Sequence, residues 1–391
     1  MPYRINPNVS AVSAPPIPEV QAWAGARTAN TDLPLLNMAQ AVPSYPPAEP
    51  LRAQMAELVE QGEPAFYTGV PGLPALREAT AAHFSTEYGG DIDTEKIAVT
   101  AGCNQAFCLA IAGITEPGDE VILPLPWYFN HQMWLEMHGL RPVPLAFDER
   151  SGGLPDADLA ATLINHRTRA IVLVTPNNPT GAEYPPALIS RFYELAEANG
   201  VALIMDETYK DFRDADGPPH DLFTRTGWPD TLVHLYSFSK AYSLTGYRTG
   251  TIACGPELME GIIKLMDCAI ICAPHIGQRA ALYGIENLSG WRAANRRLMG
   301  SRVAHVREAF QTTGLRYELA SAGAYFAYVR HPFAGERAID IARMLATEWG
   351  VLALPGSAFG PGQDAYLRFA FANIGDDAIP GLIERLITSQ S

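Results

Sequence analysis

The chain has 391 residues, 48% of them hydrophobic, and carries a formal net charge of −14 at pH 7. This length supplies enough apolar material for two domains with substantial cores. The negative charge argues against nucleic acid or an anionic membrane as a partner, and no apolar run approaches the roughly 20 residues that a membrane-spanning helix needs. The amino-terminal sequence lacks the basic and then apolar order of a secretory signal, so we expect a cytoplasmic protein.

Three regions follow one another along the chain. Residues 1–45 are rich in proline and show no long periodic pattern, which predicts an arm rather than a domain. A large domain is predicted over residues 46–285. A small α+β domain is predicted over residues 286–391, because a long polar and basic helix begins near residues 287–310. We expect the arm to pack on this small domain.

Strand-like runs alternate with helical ones in the large domain, which predicts an α/β fold with a mainly parallel central sheet flanked by helices. Several of these runs are almost continuous Val, Ile and Leu, as strands covered on both faces should be. A helix is expected over Pro186–Asn199, since it opens with prolines and ends before Gly200. The predicted strands are Glu120–Leu123, Ala170–Val174, Val201–Met205, Leu232–Tyr236 and Thr249–Ala253.

The five cysteines, at positions 103, 108, 254, 268 and 272, are odd in number and follow no disulfide framework. Cys268, Cys272 and His275 are spaced as metal ligands can be, but a fourth ligand is not evident. Because the two cysteines lie four apart in an apolar stretch that we expect to be helical, we interpret them as reduced core thiols. We therefore expect no metal site.

Polar segments follow three of the predicted strands, at the edge where an open α/β sheet binds its ligand. Thr175–Gly181 follows the second strand, and taken alone it is a turn signal. Asp206 follows the third strand and needs a partner, because a lone buried charge is costly. A protonated ring nitrogen and a structural salt bridge are equally good partners for that carboxylate.

Lys240 follows the fourth strand in a small-residue and hydroxyl-rich turn, with Arg248 eight residues later. Upstream, Gly102 opens a helix that has Cys103 and Asn104 in its first turn, where backbone N–H groups attract phosphate. A single lysine usually lies on the surface. In this neighbourhood, however, an amine suits a Schiff base to a phosphorylated cofactor.

Together these segments resemble the fold-type-I pyridoxal-phosphate enzymes, and more narrowly the class I/II aminotransferases. The resemblance extends from about Asn37 to Phe371, with every motif in family order. Its most specific element is Ser-x-Ser-Lys240 followed by Gly-x-Arg248-x-Gly, and Asn178-Pro-Thr-Gly adds to it. The resemblance implies pyridoxal 5′-phosphate as cofactor, and an amino acid and a 2-oxo acid as substrates.

The resemblance also assigns roles at the cofactor. Lys240 would form the Schiff base and then move the proton between the substrate Cα and the cofactor C4′. Asp206 would pair with the protonated ring nitrogen, and Asn178 and Tyr209 would hydrogen-bond the 3′ oxygen. Tyr128 matches the aromatic residue that stacks on the ring. The phosphate would be held by Gly102, Cys103, Asn104, Ser237 and Arg248.

A further tyrosine concerns the assembly. Tyr67 matches a residue that reaches the phosphate of the neighbouring subunit, which implies a homodimer with a shared active site. A buried aromatic residue in a loop is an equal alternative for Tyr67.

The substrate carboxylate would be bound by Arg368, together with Asn178 and the Ala41 segment. Arg368 lies on a predicted strand on the face opposite to Leu367, Phe369 and Phe371. Two positions depart from the family pattern. Ala41 stands where many relatives have glycine, which puts the contact of this loop with the carboxylate in doubt. Cys103 replaces a smaller or hydroxyl residue, and a thiol near phosphate could be sensitive to oxidation.

Substrate choice rests on fewer residues. The stretch Cys268–Pro274 offers no second arginine for an acidic side chain, and Trp23, Trp127 and Tyr67 could line an apolar pocket. We therefore favour a neutral or aromatic L-amino acid as donor, with Arg27 left as an alternative clamp. A C–S β-lyase would use the same cofactor residues and stays open. A nicotinamide dehydrogenase needs a Gly-x-Gly-x-x-Gly turn that the chain lacks, and the arm is too short for the DNA-binding module of a transcription regulator.

Overall fold

The computed structural model describes residues 3–27 and 33–390. None of the helices in these ranges is long and apolar enough to cross a membrane. The α-helices are α1 Pro7–Ala11, α2 Pro16–Gly25, α3 Glu49–Gln61, α4 Pro74–Tyr88, α5 Cys103–Ile114, α6 Phe129–Met137, α7 Ala157–Leu163, α8 Pro186–Asn199, α9 Trp228–Thr231, α10 Phe238–Ala241, α11 Pro256–Ala269, α12 His275–Asn287, α13 Ser289–Ala309, α14 Ala338–Trp349 and α15 Ile379–Thr388. The strands are β1 Leu36–Asn37, β2 Ile97–Thr100, β3 Glu120–Pro124, β4 Arg141–Leu145, β5 Thr168–Val174, β6 Ala202–Asp206, β7 Leu232–Ser237, β8 Gly250–Ala253, β9 Glu318–Gly323, β10 Phe326–Arg330, β11 Val351–Leu352, β12 Leu354–Pro355 and β13 Tyr366–Phe369.

A seven-stranded sheet in the order β2-β8-β7-β6-β5-β3-β4 forms the centre of the large unit. Strand β8 runs antiparallel to both of its neighbours, and the other pairs are parallel. Successive residues of β6 enter different cores, since Leu203 and Met205 pack with α8 residues and Ile204 packs with α5 and α11 residues. Both faces of the sheet are therefore covered, which is why its strands are apolar throughout. The predicted α/β fold, the five strands and helix α8 are confirmed.

A four-stranded antiparallel sheet in the order β12-β13-β10-β9 forms the smaller unit, and β1 pairs in parallel with β11. Its hydrophobic core includes Tyr328 of β10 and Leu345 of α14. Val20 and Trp23 of α2 belong to the same core. The boundaries after residues 45 and 285 stay predictions.

The amino-terminal segment, predicted to be an arm rather than a domain, contains the short helices α1 and α2. Both helices have a proline at their first position, where the missing N–H costs no intrahelical hydrogen bond and φ is already helical. At 5 and 10 residues they are too short to show several turns of periodicity. This is why the sequence pattern did not reveal them.

Cys268 and Cys272, which were expected to be core thiols in one helix, do not share a helix in the structure. Helix α11 ends at Ala269, and Ile271 has φ +67°, so Cys272 lies beyond the helix. Pro274 follows closely and cannot extend a helix. Cys272 is buried as expected, but Cys268 is exposed in the last turn of α11, and so the interpretation of Cys268 as a core thiol was wrong.

The Asn-Pro-Thr-Gly turn after β5 touches the smaller sheet through two glycines. Gly181 has φ +73°, and a Cβ atom on it would lie 2.4 Å from the backbone oxygen of Gly323 at the end of β9. Only glycine permits this approach of the two backbones. The contact places the loop that carries Asn178 directly against the sheet that carries Arg368.

Candidate active site

A cavity of about 450 Å³ lies at the carboxyl ends of β5, β6 and β7. The structure brings nine of the predicted site residues to its wall: Cys103, Asn104, Tyr128, Asn178, Asp206, Tyr209, Ser237, Lys240 and Arg248. Residues that the sequence analysis did not single out complete the wall: Gln40, Val42, Val174, Thr208, Ser239, Thr245 and Gly246. The parallel strands place these side chains together because they all end at the same edge of the sheet.

Lys240 lies in α10, the single turn that follows β7. Its Nζ donates a hydrogen bond to the Ala41 carbonyl oxygen at 2.5 Å and lies 5.9 Å from the centre of the Tyr209 ring. Burial lowers the pKa of this amine to about 7, and the cations of Arg368 and Arg248 act in the same direction. Near neutral pH, a large fraction of Lys240 is therefore a neutral amine, able to act as a nucleophile or a base.

Asp206 is the last residue of β6, and its carboxylate is buried at the wall of the cavity. Thr208 donates to Oδ1 from its backbone N at 3.0 Å and from Oγ1 at 2.7 Å. His131, which stacks on Phe107, places Nε2 3.5 Å from Oδ2. Burial opposes the charge, but His131 and Thr208 outweigh it and lower the pKa of Asp206. The wall of the cavity therefore carries an anion here at neutral pH.

Another part of the cavity can bind an anion. Gly102 caps α5 with φ +85°, and the first N–H groups of a helix have no carbonyl partner within it. The Arg248 guanidinium crosses this turn and donates to the carbonyl oxygens of Ala101 at 3.3 Å and Thr245 at 3.0 Å. A Cβ atom on Gly102 would lie 2.3 Å from Arg248 Nη2, so only glycine permits this packing.

Arg368, on β13, is buried behind the cavity with 2% of its surface exposed. Nη1 donates to Asn178 Oδ1 at 3.1 Å, and Nη2 donates to the Ala39 carbonyl oxygen. Burial lowers its pKa to about 10, which still leaves a cation at neutral pH. The strand ends at Phe369, so the predicted alternation through Phe371 stops earlier than expected.

The segment 37–42 closes one side of the cavity and is held by a residue that the sequence analysis missed. Asn373 accepts from the Val42 N–H through Oδ1 at 2.8 Å, and it donates through Nδ2 to the carbonyl oxygens of Asn37, at 3.1 Å, and Gln40. Ala41 contributes its carbonyl oxygen to Lys240. No local pattern marks Asn373, because its contacts span more than 330 residues of sequence.

Burial also sets the protonation of the other polar side chains at the cavity. It raises the pKa of Tyr128 to about 12, against a hydrogen bond with Asn104, and it raises the pKa of Tyr209. Burial, with the nearby Asp206 carboxylate, raises the pKa of the Cys103 thiol well above its ordinary value. A protonated thiol is a poor nucleophile, so the expected sensitivity of Cys103 to oxidation is not supported.

Several predicted residues lie outside this cavity. Tyr67 is 77% exposed, which contradicts the alternative of a buried aromatic residue in a loop. Trp23 and Trp127 line a separate cavity of about 600 Å³ between the amino-terminal helices, α6 and the smaller sheet. Arg27 donates to the Leu33 carbonyl oxygen beside Gly350 and does not reach the wall that the described residues form. Trp23 and Trp127 therefore share a cavity, as the sequence suggested, but it is not the cavity that Lys240 lines, and Tyr67 belongs to neither.

Comparison with known proteins bears on this geometry. The model of the family "Aminotransferase class I and II" matches residues 34–386. An aromatic aminotransferase of Arabidopsis thaliana is 30% identical over 369 residues, which are 89% of this chain and 91% of that protein. An arginine–pyruvate transaminase of Pseudomonas aeruginosa is 31% identical over 77% of each chain. A solved aspartate aminotransferase of Thermus thermophilus with maleate has the same fold, with a TM-score of 0.90, 24% identity and 99% of both chains covered.

The chain belongs to the class I and II aminotransferases. It is accordingly a transferase that depends on pyridoxal 5′-phosphate, as enzymes of this class and fold do. The cavity of this aminotransferase fits that cofactor on three counts. The α5 amino terminus and Arg248 suit a phosphate. The Asp206 carboxylate suits a protonated ring nitrogen. The Ser239 hydroxyl lines the cavity and is buried without a hydrogen-bond partner among the described residues, so a polar atom of the cofactor can provide one.

Proposed function

We propose that the enzyme transfers an amino group from a neutral or aromatic L-amino acid to a 2-oxo acid, with Lys240 as the residue that binds the cofactor covalently and moves the proton. The observation that carries this proposal is that the Lys240 amine lines the same cavity as the Asp206 carboxylate and Arg248, whose guanidinium donates to Ala101 beside the Gly102 turn. Bound pyridoxal phosphate supplies a carbonyl carbon that condenses with amines and a ring that withdraws electrons.

The side chains of this enzyme divide the remaining work. Asp206 holds the ring nitrogen in its protonated form, because its own pKa is low. Cys103 and Asn104 offer backbone N–H groups to the phosphate, together with Ser237 and Arg248. Asn178 and Tyr209 would hydrogen-bond the 3′ oxygen, and Tyr128 would cover the ring. Lys240 removes the proton from the substrate Cα as a neutral amine and returns it at the cofactor C4′.

Arg368 and Asn178 form the proposed site for the substrate carboxylate. A guanidinium matches a carboxylate through two parallel hydrogen bonds, and burial strengthens them because little water competes. In this structure the Ala39 carbonyl oxygen and the Asn178 side chain accept from the two Nη groups. A substrate carboxylate would take the place of the neutral Ala39 acceptor.

The proposed donor preference rests on charge. Among the described residues that line the cavity, Lys240 and Arg248 are the cations, and both have roles at the cofactor. An acidic side chain would have no cation of this chain to pair with inside the cavity. The aromatic aminotransferase among the relatives supports this preference, whereas aspartate aminotransferases of 27% identity do not favour it.

The preference predicts the outcome of a donor panel. With 2-oxoglutarate as acceptor, kcat/KM for phenylalanine, tyrosine and leucine should exceed kcat/KM for aspartate by at least about tenfold, since one unpaired buried charge costs more than about 1.4 kcal/mol. The measurement is steady-state kinetics with each donor at one acceptor concentration. Equal or higher kcat/KM for aspartate would contradict the preference.

A pH dependence follows from the lowered pKa of Lys240. The neutral amine is the nucleophile, and it becomes abundant above pH 7. Uptake of pyridoxal phosphate by the apo-protein should therefore accelerate about tenfold per pH unit below pH 7 and level off above about pH 8. Stopped-flow absorbance would measure this rate, with pyridoxamine phosphate, which has no aldehyde, as the control. A rate that rises steadily up to pH 10 would contradict the assignment.

We also propose a homodimer in which Tyr67 reaches the cofactor phosphate of the partner subunit. Two observations support this proposal. The Tyr67 side chain is 77% exposed, and Phe66 beside it is exposed as well. Large aromatic residues exposed side by side favour a protein interface. Light scattering of the purified protein tests the assembly, and a mass of a single chain at micromolar concentration would contradict it.

A further inference from the structure

A buried polar cluster lies next to Asp206, on the side of the sheet that faces α4 and not His131. The Glu207 carboxylate is at its centre, with 1% of the residue exposed. Tyr88 OH donates to Oε2, His234 Nε2 lies 2.8 Å from the same oxygen, and His220 Nε2 lies 3.6 Å from it. None of these side chains takes part in the proposed chemistry.

Glu207, His220 and His234 bring their ligand atoms within 4.8 Å of one another, a grouping that could suggest a metal ion. The hydrogen bonds argue against this. His220 Nδ1 accepts from the Leu222 N–H at 3.2 Å, so the proton of the neutral ring is on Nε2, the atom that faces Glu207. A protonated ring nitrogen cannot bind a metal ion. The cluster is therefore a carboxylate that Tyr88 and His234 contact at hydrogen-bond distance, with His220 Nε2 beside it at 3.6 Å.

The charge of Glu207 is retained in this setting. Burial opposes ionisation, but the two histidines outweigh it and hold the pKa of Glu207 well below its ordinary value. A buried carboxylate is expensive unless several donors satisfy it. The side chains around Glu207 come from three separate parts of the chain: Tyr88 from α4, His220 from the loop before Leu222, and His234 from β7. The Glu207 carboxylate therefore connects its own turn to three other segments of the chain.

The segment that Glu207 holds is the turn that presents Asp206. Consecutive residues at the end of a strand point to opposite faces, so Asp206 faces His131 and the cavity, while Glu207 faces α4. The Glu207 N–H donates to the Leu235 carbonyl oxygen at 2.9 Å, and its carbonyl accepts from the Lys210 N–H at 3.1 Å. Thr208, inside the same turn, donates twice to Asp206.

We infer that Glu207 is a positioning residue, which fixes the turn from behind so that the Asp206 carboxylate keeps its place toward the cofactor ring nitrogen. This inference rests on the proposed role of Asp206. Loss of any donor around Glu207 leaves a buried charge less well satisfied, and the turn can relieve this only by moving. Asp206 moves with it, because the two residues are adjacent in the chain.

A double-mutant cycle on cofactor binding tests the inference. The probe is pyridoxamine 5′-phosphate titrated calorimetrically into the apo-protein, with melting temperature recorded for each variant. Asp206→Asn should weaken binding by about 100-fold, and Glu207→Gln by about tenfold. The double variant should bind no more than about threefold more weakly than Asp206→Asn alone, because Glu207 acts through Asp206. Glu120→Gln, a buried carboxylate on the far end of β3, is the matched control and should bind as the parent does.

The outcomes separate the two proposals. Parent-like affinity of Glu207→Gln, with a lowered melting temperature and a clear loss in Asp206→Asn, would overturn the positioning role and leave the proposed function intact. Additive losses in the double variant would also overturn it. Parent-like affinity of Asp206→Asn would remove the role of Asp206, and this inference with it. If Glu207→Gln does not fold, Tyr88→Phe takes its place in the cycle, with an expected loss of about threefold.

Discussion

Replacement of Lys240 by alanine is expected to lower kcat for transamination by at least about 1,000-fold, since proton transfer by a positioned base alone contributes about 10²- to 10⁴-fold. Alanine leaves no amine to condense with the cofactor and none to remove the proton from the substrate Cα. Cofactor binding should weaken but persist, because Asp206, Arg248 and the α5 amino terminus are unchanged. Steady-state kinetics and calorimetric titration of the cofactor measure the two effects.

The chain offers a matched control for this variant. Lys264→Ala removes an exposed lysine that pairs with Glu260 on α11, and it should turn over as the parent does. Reduction of the cofactor-loaded parent with borohydride, followed by peptide mapping, should place the label on Lys240. If Lys240→Ala transaminated at the parent rate, or if the label were found on Lys210, the assignment would be wrong.

Replacement of Arg368 by alanine should raise KM for the amino acid by at least about 100-fold and leave cofactor affinity within about twofold of the parent. The physical reason is the loss of two charge-assisted hydrogen bonds to the carboxylate, each of which contributes about 1.5–3 kcal/mol. Kinetics with varied donor, combined with cofactor titration, separate the two effects. Arg330→Ala, on the neighbouring strand β10, removes a guanidinium that pairs with Glu149 and should leave KM unchanged.

An unchanged KM in Arg368→Ala would remove the proposed carboxylate site. An equal loss of cofactor and substrate binding would point to a collapse of the cavity instead, since Arg368 also packs on Phe326 and Phe359. Arg368→Lys distinguishes charge from geometry in that case, because lysine keeps the cation and loses the planar fork.

Most of the cavity could be predicted from the sequence because its residues follow strands whose apolar runs are unmistakable. Asp206 and Ser237 end β6 and β7, and Lys240 follows within one turn, so correct strands bring them together. Thr208 lies two residues after Asp206, and His131 lies three residues after Tyr128. Their contacts with Asp206 depend on side-chain direction, which no pattern of residue types specifies.

The remainder depends on contacts between distant segments. Asn373 reaches the loop 37–42, and Gly181 touches Gly323, only because the smaller sheet is placed against the large one. Trp23 and Trp127 illustrate the opposite error. Both are large apolar residues near site motifs, yet α2 carries Trp23 into the core of the smaller unit. Composition alone could not tell which cavity an aromatic residue lines.

Transamination in this cavity is tested most directly by a single half-reaction, in which a neutral or aromatic amino acid is added to the cofactor-loaded enzyme without an acceptor. We expect the visible band of the bound cofactor to be lost while one equivalent of the corresponding 2-oxo acid is released per active site. Continuous release of ammonia or of a side-chain fragment, with the band retained, would contradict it and identify a lyase.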